Sequence, residues 1–420
     1  MIPRLDVYLA PACEGESQDI LVGQCRFEIR RGHLSGSFLY DESYLGRSGA
    51  FSLDPSLPLR ATSHYFTQLP GALRDASPDR WGRHLIARNR AIEATDVGVS
   101  PRTLDDVDYL LGVHDSTRQG ALRFSEPGSS VRLSARGNVP PTVELKHLMV
   151  AANEISRGSE GRDQIKELLE AGSGSIGGAR PKAALLDEGR LLMAKFSHPN
   201  DEHDVITWEK TVLDLAGAAH LPTPKASLVR IGTDRALVLE RFDRNRSRAD
   251  GPRFPYLSAM SLLETSDGEQ RDYVEVAEAM ATFVDDVLKQ LRSLFRRIVF
   301  SIAVHNTDDH LRNLGFVRIG NGWRLSPLFD VNPNPDPDER RSTGIFGETG
   351  QHEVSGLVEA LPAFGLDPNV AKPIVRDVLG AVARWRAAAR RNGCKDGEMR
   401  LFDPVFAERA KALRAAFDIE

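Results

Sequence analysis

The chain has 420 residues, enough for two or three compact units that each bury a core. With 41% hydrophobic and 27% charged residues it has the make-up of a globular protein, which excludes an intrinsically disordered or fibrous chain. Fifty-four Lys and Arg stand against 59 Asp and Glu, a formal charge of −5, so no net basic field draws the isolated chain to nucleic acid. Cys13, Cys25 and Cys394 are odd in number and far apart, without a CxxC pair, and read as reduced cytosolic thiols. No apolar run approaches the roughly eighteen residues of a membrane helix. The start, Met1 to Asp6, has no apolar stretch of the kind a secretory signal carries, so a soluble cytoplasmic protein is expected.

In chain order, the first fifty residues alternate apolar and polar positions, as in Leu5-Asp6-Val7-Tyr8-Leu9, and predict a small meander of strands. From Ser77-Pro78 the spacing of Trp81, Leu85 and Ile86 predicts a helix, and a second short one covers Leu104 to Leu111. Strand signals return from Gly172 to Phe242, interrupted by a helix over Trp208 to Ala219. The stretch from Arg241 to Pro252 is polar, charged and closed by Gly-Pro, and reads as a solvated loop at the main boundary. Beyond it, a long helix from Asp285 to Val304 has a broad apolar face, and another runs from Asp367-Pro368 to Gly393. The expected division is 1–125, 126–250 and 251–420.

The run His305-Asn306-Thr307-Asp308-Asp309-His310-Leu311-Arg312-Asn313 sets an Asp and an Asn five residues apart, and Asp330 follows Asn313 by seventeen. In kinases an Asp at that place accepts the substrate hydroxyl proton, the Asn holds a metal, and a later Asp holds metal against the phosphates. Oxygen ligands suit magnesium, and phosphoryl transfer is mainly positioning and charge neutralisation. Upstream, Gly172 to Lys182 combines four glycines, two serines and two cations, a phosphate cradle in outline although neither a Walker A loop nor an ordinary kinase Gly loop. Lys195, embedded in an apolar strand, can reach phosphates as a point charge, oriented by Glu209 from the next helix. Ala236 to Phe242 then reads as a strand leading into a connector, where backbone groups around Glu240 and Phe242 could meet adenine. Alternatively, His305, Asp308, Asp309 and His310 could form a hydrolase metal set. The spacing to Asn313 favours Asp308 as base, with His310 orienting the loop and Asp309 an exposed or structural acid.

These parts, in this order, resemble the HipA family of serine/threonine-kinase toxins. The resemblance runs over nearly the whole chain, through Ala72 to Arg83, Leu104 to Gly112, Ser175 to Leu185, Asn306 to Phe316 and Leu325 to Pro333. It implies an α+β, two-lobed protein-kinase-like fold of the phosphatidylinositol-kinase type, with a mixed N-terminal half and an all-helical C-terminal half. It implies an ATP- and Mg2+-dependent protein kinase with Asp308 as base and Asn313 and Asp330 as metal ligands. Lys195 is then the phosphate lysine, while Ser175, Ile176, Gly177, Gly178, Ala179, Lys182, Glu240, Phe242 and His310 line the nucleotide. Ser175 matches a loop serine that such kinases autophosphorylate, with Ser173 a neighbour able to take that role. A phosphate there would add about −2 charge to the ATP cradle and switch the enzyme off. Family substrates are aminoacyl-tRNA synthetases such as glutamyl-tRNA synthetase, and the partner is a HipB-like helix-turn-helix antitoxin that carries operator DNA. Two other readings stay open, a kinase-fold co-repressor without turnover and a small-molecule phosphotransferase of the antibiotic-kinase type.

Overall fold

The structure, a computed structural model, describes residues 4–12, 18–134, 139–158, 161–173, 180–249 and 251–420. The chain divides into two compact units whose segments alternate along the sequence. One comprises 1–200, 238–257 and 317–321; the other comprises 201–237, 258–316 and 322–420.

In the first unit the alternating N-terminal pattern becomes an antiparallel five-stranded sheet. Its order is His64–Phe66, His33–Tyr40, Ile20–Arg30, Arg4–Leu9 and Leu122–Ser125. Period-2 alternation sends Leu5, Val7, Cys25, Phe27 and Phe38 inward, each under 10% exposed, and an irregularity in the pairing of the first two strands buries Val22 as well. The predicted helix at Ser77-Pro78 starts a little later, as Arg80–Asp96, because Asp79 supplies the N-cap by accepting the Gly82 N–H at 2.8 Å. Asp106–Gly112 opens with a full capping box between Asp105 and Asp108. Two helices without a sequence forecast, Leu145–Ser156 and Arg162–Glu170, pack on each other. The hairpin of Lys182–Asp187 and Arg190–Phe196 turns at Glu188 and Gly189, both with positive φ, and pairs Lys182 with Lys195.

The second unit is built on the long helix Val287–Ala303, two residues shorter at its start than its apolar pattern suggests. Leu294, Phe295, Ile298, Val299 and Ile302 of this helix are fully buried. The helix packs against Pro368–Val382 and the terminal helix Asp396–Ala416. Helix Val205–Ala218 plants Trp208 among Phe402, Trp385 and Phe406, with ring centroids 4.0, 6.0 and 6.3 Å away. The helix forecast from Asp367 to Gly393 breaks after Val382 and resumes as Trp385–Asn392, ending on Gly393 at φ 85.

The expectation of an all-helical C-terminal half is corrected. Short strands lie at Tyr256–Ser258, Arg271–Asp272, Gly315–Ile319, Gly322–Leu325 and Thr343–Gly344. For Gly315–Ile319 and Gly322–Leu325 the local cause is visible: Gly320-Asn321-Gly322 is a turn sequence between two apolar runs, and Gly320 has φ 63. The 241–252 stretch also differs from the solvated loop expected. Arg241, Asp243, Arg244 and Ser247 are buried, and only Arg246 and Arg248 among its arginines are exposed. The reason is pairing: Asp243 accepts from Arg241 at 2.6 Å, Arg244 at 2.8 Å and the Gly120 N–H at 2.8 Å, while Arg244 donates to the Arg118 carbonyl at 2.8 Å. Among the described residues no helix is long and apolar enough to cross a membrane.

Candidate active site

Where Val287–Ala303 ends, the chain turns sharply through His305, whose φ is 48, and the Asn306 N–H donates to the Ser301 carbonyl at 2.9 Å. The loop that follows is stitched to the segment after Asp330. Asn306 Oδ1 accepts the Asn332 N–H at 3.2 Å, the Thr307 carbonyl accepts the Ser342 N–H at 2.9 Å, and the Asn334 N–H donates to the His305 carbonyl at 2.9 Å. Asp308 points outward with its side chain 74% exposed. Its carbonyl accepts Asn313 Nδ2 at 3.1 Å, which leaves Asn313 Oδ1 available as an acceptor. Asn313 and Asp330 line one pocket, together with Tyr273, Arg297, Ser301 and Asp309. Asp330 is held at φ 53, a left-handed backbone that costs a non-glycine residue on the order of 1 kcal/mol. Two oxygen-bearing side chains brought to one pocket fit a hard cation that takes its remaining ligands from phosphates and water.

His310 is half-buried, with Nε2 3.4 Å from Asn313 Nδ2 and 3.8 Å from Asp308 Oδ1. Asp309 is the residue the structure treats most differently from its exposed neighbour Asp308. It is buried, accepting the Tyr273 hydroxyl at 2.9 Å, Arg341 Nη1 at 2.8 Å and the Thr343 N–H at 3.2 Å. Burial pushes its carboxyl above the usual range, with Arg341 and these donors pulling back. His305 gives Nε2 to the Asp336 carbonyl at 2.8 Å and takes Arg409 Nε on Nδ1 at 3.2 Å, while burial lowers its imidazole below the usual value. With Asp309 and His305 committed in this way, the set His305, Asp308, Asp309 and His310 does not converge as metal ligands. Among the described residues no group of three or more His, Cys, Asp and Glu does so.

In the first unit Lys182 and Lys195 face each other across the hairpin, 1% and 3% exposed. Lys182 Nζ lies 2.7 Å from Asp79 Oδ2, so this cation is engaged by the cap of the Arg80–Asp96 helix. Ser175, Ile176, Gly177, Gly178 and Ala179 lie outside the described residues. Ser173 is fully buried, and its Oγ has no hydrogen-bond partner among the described residues. Glu240 accepts Arg190 Nη1 at 2.8 Å, and the Phe242 ring lies 6.2 Å from that of Tyr256. Glu209 is fully buried on Val205–Ala218 in the second unit. Residues that no sequence pattern singled out are Tyr273, Arg341, Glu353 and Arg409. The last three follow Asp309 by 32, 44 and 100 positions, so no local spacing signals them.

The first unit thus carries a buried strand lysine and the second an Asp-x4-Asn loop with a later Asp, within a mixed α/β architecture. Residues 174–385 match the HipA-like C-terminal domain and residues 17–99 the HipA N-terminal domain, and the chain belongs to the HipA family. A Haemophilus influenzae protein named "Putative kinase" is 31% identical over 116 residues, 26% of this chain and 34% of that protein. The chain thus spans about a third of that relative's length. The fold is similar to HipA in the Shewanella oneidensis MR-1 toxin–antitoxin complex of HipA, HipB and operator DNA. That likeness has a TM-score of 0.71 over 99% of both chains at 16% identity.

Proposed function

We propose that this protein is an ATP- and Mg2+-dependent serine/threonine protein kinase of a toxin–antitoxin pair. The observation that carries the reading is the convergence of Asn313 and Asp330 in one pocket beside an outward-facing Asp308. Asn313 and Asp330 would hold the metal, and Lys195 would meet phosphate oxygens as a buried cation. Mg-ATP, when bound, supplies the phosphoryl group. Asp308, exposed and acceptor-only when ionised, takes the proton of the incoming hydroxyl. The carboxamide bond from Asn313 to the Asp308 carbonyl fixes the two at one spacing. The hydroxyl comes from a protein serine, and we assign the substrate class to aminoacyl-tRNA synthetases, with Ser175 as an autophosphorylation site. Ser173, fully buried, is the poorer acceptor of the two. A HipB-like antitoxin carrying operator DNA is the proposed partner, in line with the assembly of the Shewanella relative.

Purified protein incubated with Mg-[γ-32P]ATP should label itself and label a synthetase in a cell lysate. Chelation should stop labelling and added Mg2+ restore it. Asp308→Asn should lower the initial rate by about 10²–10⁴, the usual contribution of a positioned base. Unchanged labelling in Asp308→Asn and Asp330→Asn would overturn the reading.

A further inference from the structure

His305 and Asp309 flank Asp308, and both end in one buried cluster. Arg341, its side chain 2% exposed, gives Nη1 to Asp309 at 2.8 Å and Nε to Glu353 Oε2 at 2.7 Å. Glu353 Oε1 lies 3.4 Å from Arg409 Nη1, and Arg409 reaches back to His305 Nδ1 at 3.2 Å and to the Pro337 carbonyl at 2.9 Å. Two carboxylates and two guanidiniums, each side chain at most 7% exposed, balance in charge, and the neutral His305 closes the circuit. The members come from the loop itself, from the segment after Asp330, from helix Glu353–Glu359 and from the terminal helix Asp396–Ala416.

Such a cluster contributes little stability that a well-packed apolar core could not match, because desolvation offsets the Coulomb attraction. It does impose geometry, since each charge accepts only a narrow set of directions. We propose that Arg341 and Arg409 are positioning residues that pin the loop on both sides of Asp308, presenting its carboxylate and the Asn313 carboxamide at a fixed spacing. This rests on the kinase reading above, and it makes the terminal helix part of the catalytic geometry. Neither arginine is among the residues lining the pocket; Arg341 acts on it through Asp309 and, at 3.4 Å, the Ser301 hydroxyl, and Arg409 acts through His305.

The test uses the full chain with Arg341→Lys, Arg341→Met, Arg409→Lys and the near-isosteric Asp309→Asn. Autolabelling with Mg-ATP is followed as kcat against KM for ATP, and hydrogen–deuterium exchange is followed over residues 305–313. Arg341→Met should lose roughly 100-fold in kcat, as small misplacements do, with KM within about twofold. Arg341→Lys should recover part of that loss, and exchange over 305–313 should quicken at least about tenfold while the Val287–Ala303 helix keeps its protection. A purely structural role would instead lower activity in step with the unfolded fraction and raise exchange throughout the second unit, which would overturn the proposal. So would variants with unchanged kcat and unchanged loop exchange. A wild type that never labels itself fails the kinase reading separately, and the exchange experiment still decides whether the arginines fix the loop. Should Arg341→Met fail to fold, Arg341→Lys and Arg409→Lys carry the same comparison.

Discussion

Asp243 shows how a single carboxylate can organise a polar interior. It is 2% exposed and meets two guanidiniums and a backbone N–H, with Arg253 close enough to feel its charge. Burial pushes its carboxyl up, but Arg241 and Arg244 pull harder and leave it well below the usual carboxylate range. Because the folded value is depressed, its stabilising contribution is present above the unfolded pKa near ~3.9 and is lost as pH falls through the folded value. Asp243→Asn should therefore cost about 3–5 kcal/mol at pH 7, by leaving two buried cations short of a counter-charge. The gap in melting temperature from wild type should narrow as pH drops below about 4. A pH-independent gap would show that the charge is not what matters. At this scale the sequence was half legible. Spacing alone singles out Asp308, Asn313 and Asp330, because loop patterns are local, and the structure sets Asn313 and Asp330 along one pocket. Spacing separates Asp308 from Asp309 but leaves open whether Asp309 is exposed or structural, because its burial depends on Arg341, 32 residues on.

The helix Arg80–Asp96 and the hairpin carrying Lys182 and Lys195 are joined through Asp79, which caps the helix with one oxygen and meets Lys182 with the other. Asp79→Asn keeps the cap acceptor and removes the charge, so a loss of stability is expected as the buried Lys182 ammonium gives up this carboxylate. Asp79→Ala should lose about 1 kcal/mol more. Urea midpoints at constant m-value measure both, and equal losses would show that the cap contributes nothing. The elements themselves were largely readable, with strands from alternation, the long helix from its apolar face and the start near Ser77 from its polar cap. What periodicity could not reveal was the break after Val382, or the short strands within 251–420, whose pairing is set by tertiary neighbours more than by propensity.

Because the units alternate along the chain, neither is a contiguous fragment. A piece ending at residue 200 would lack Arg241, Asp243 and Arg244, and with them the partners of Gly120, Arg118 and Thr117. It should show loose tertiary packing by near-UV circular dichroism and rapid proteolysis, whereas the full chain should resist; a sharply melting fragment would contradict this. The 241–252 stretch thus has an unexpected standing. Its charge and its Gly-Pro close mark it, on sequence alone, as the natural place to cut the gene, graft a tag or insert a reporter domain. Yet trypsin should find only Arg246 and Arg248 open there, since Arg241 and Arg244 are shut in by their own salt links. Whoever engineers this protein will do better to leave its most linker-like dozen residues untouched.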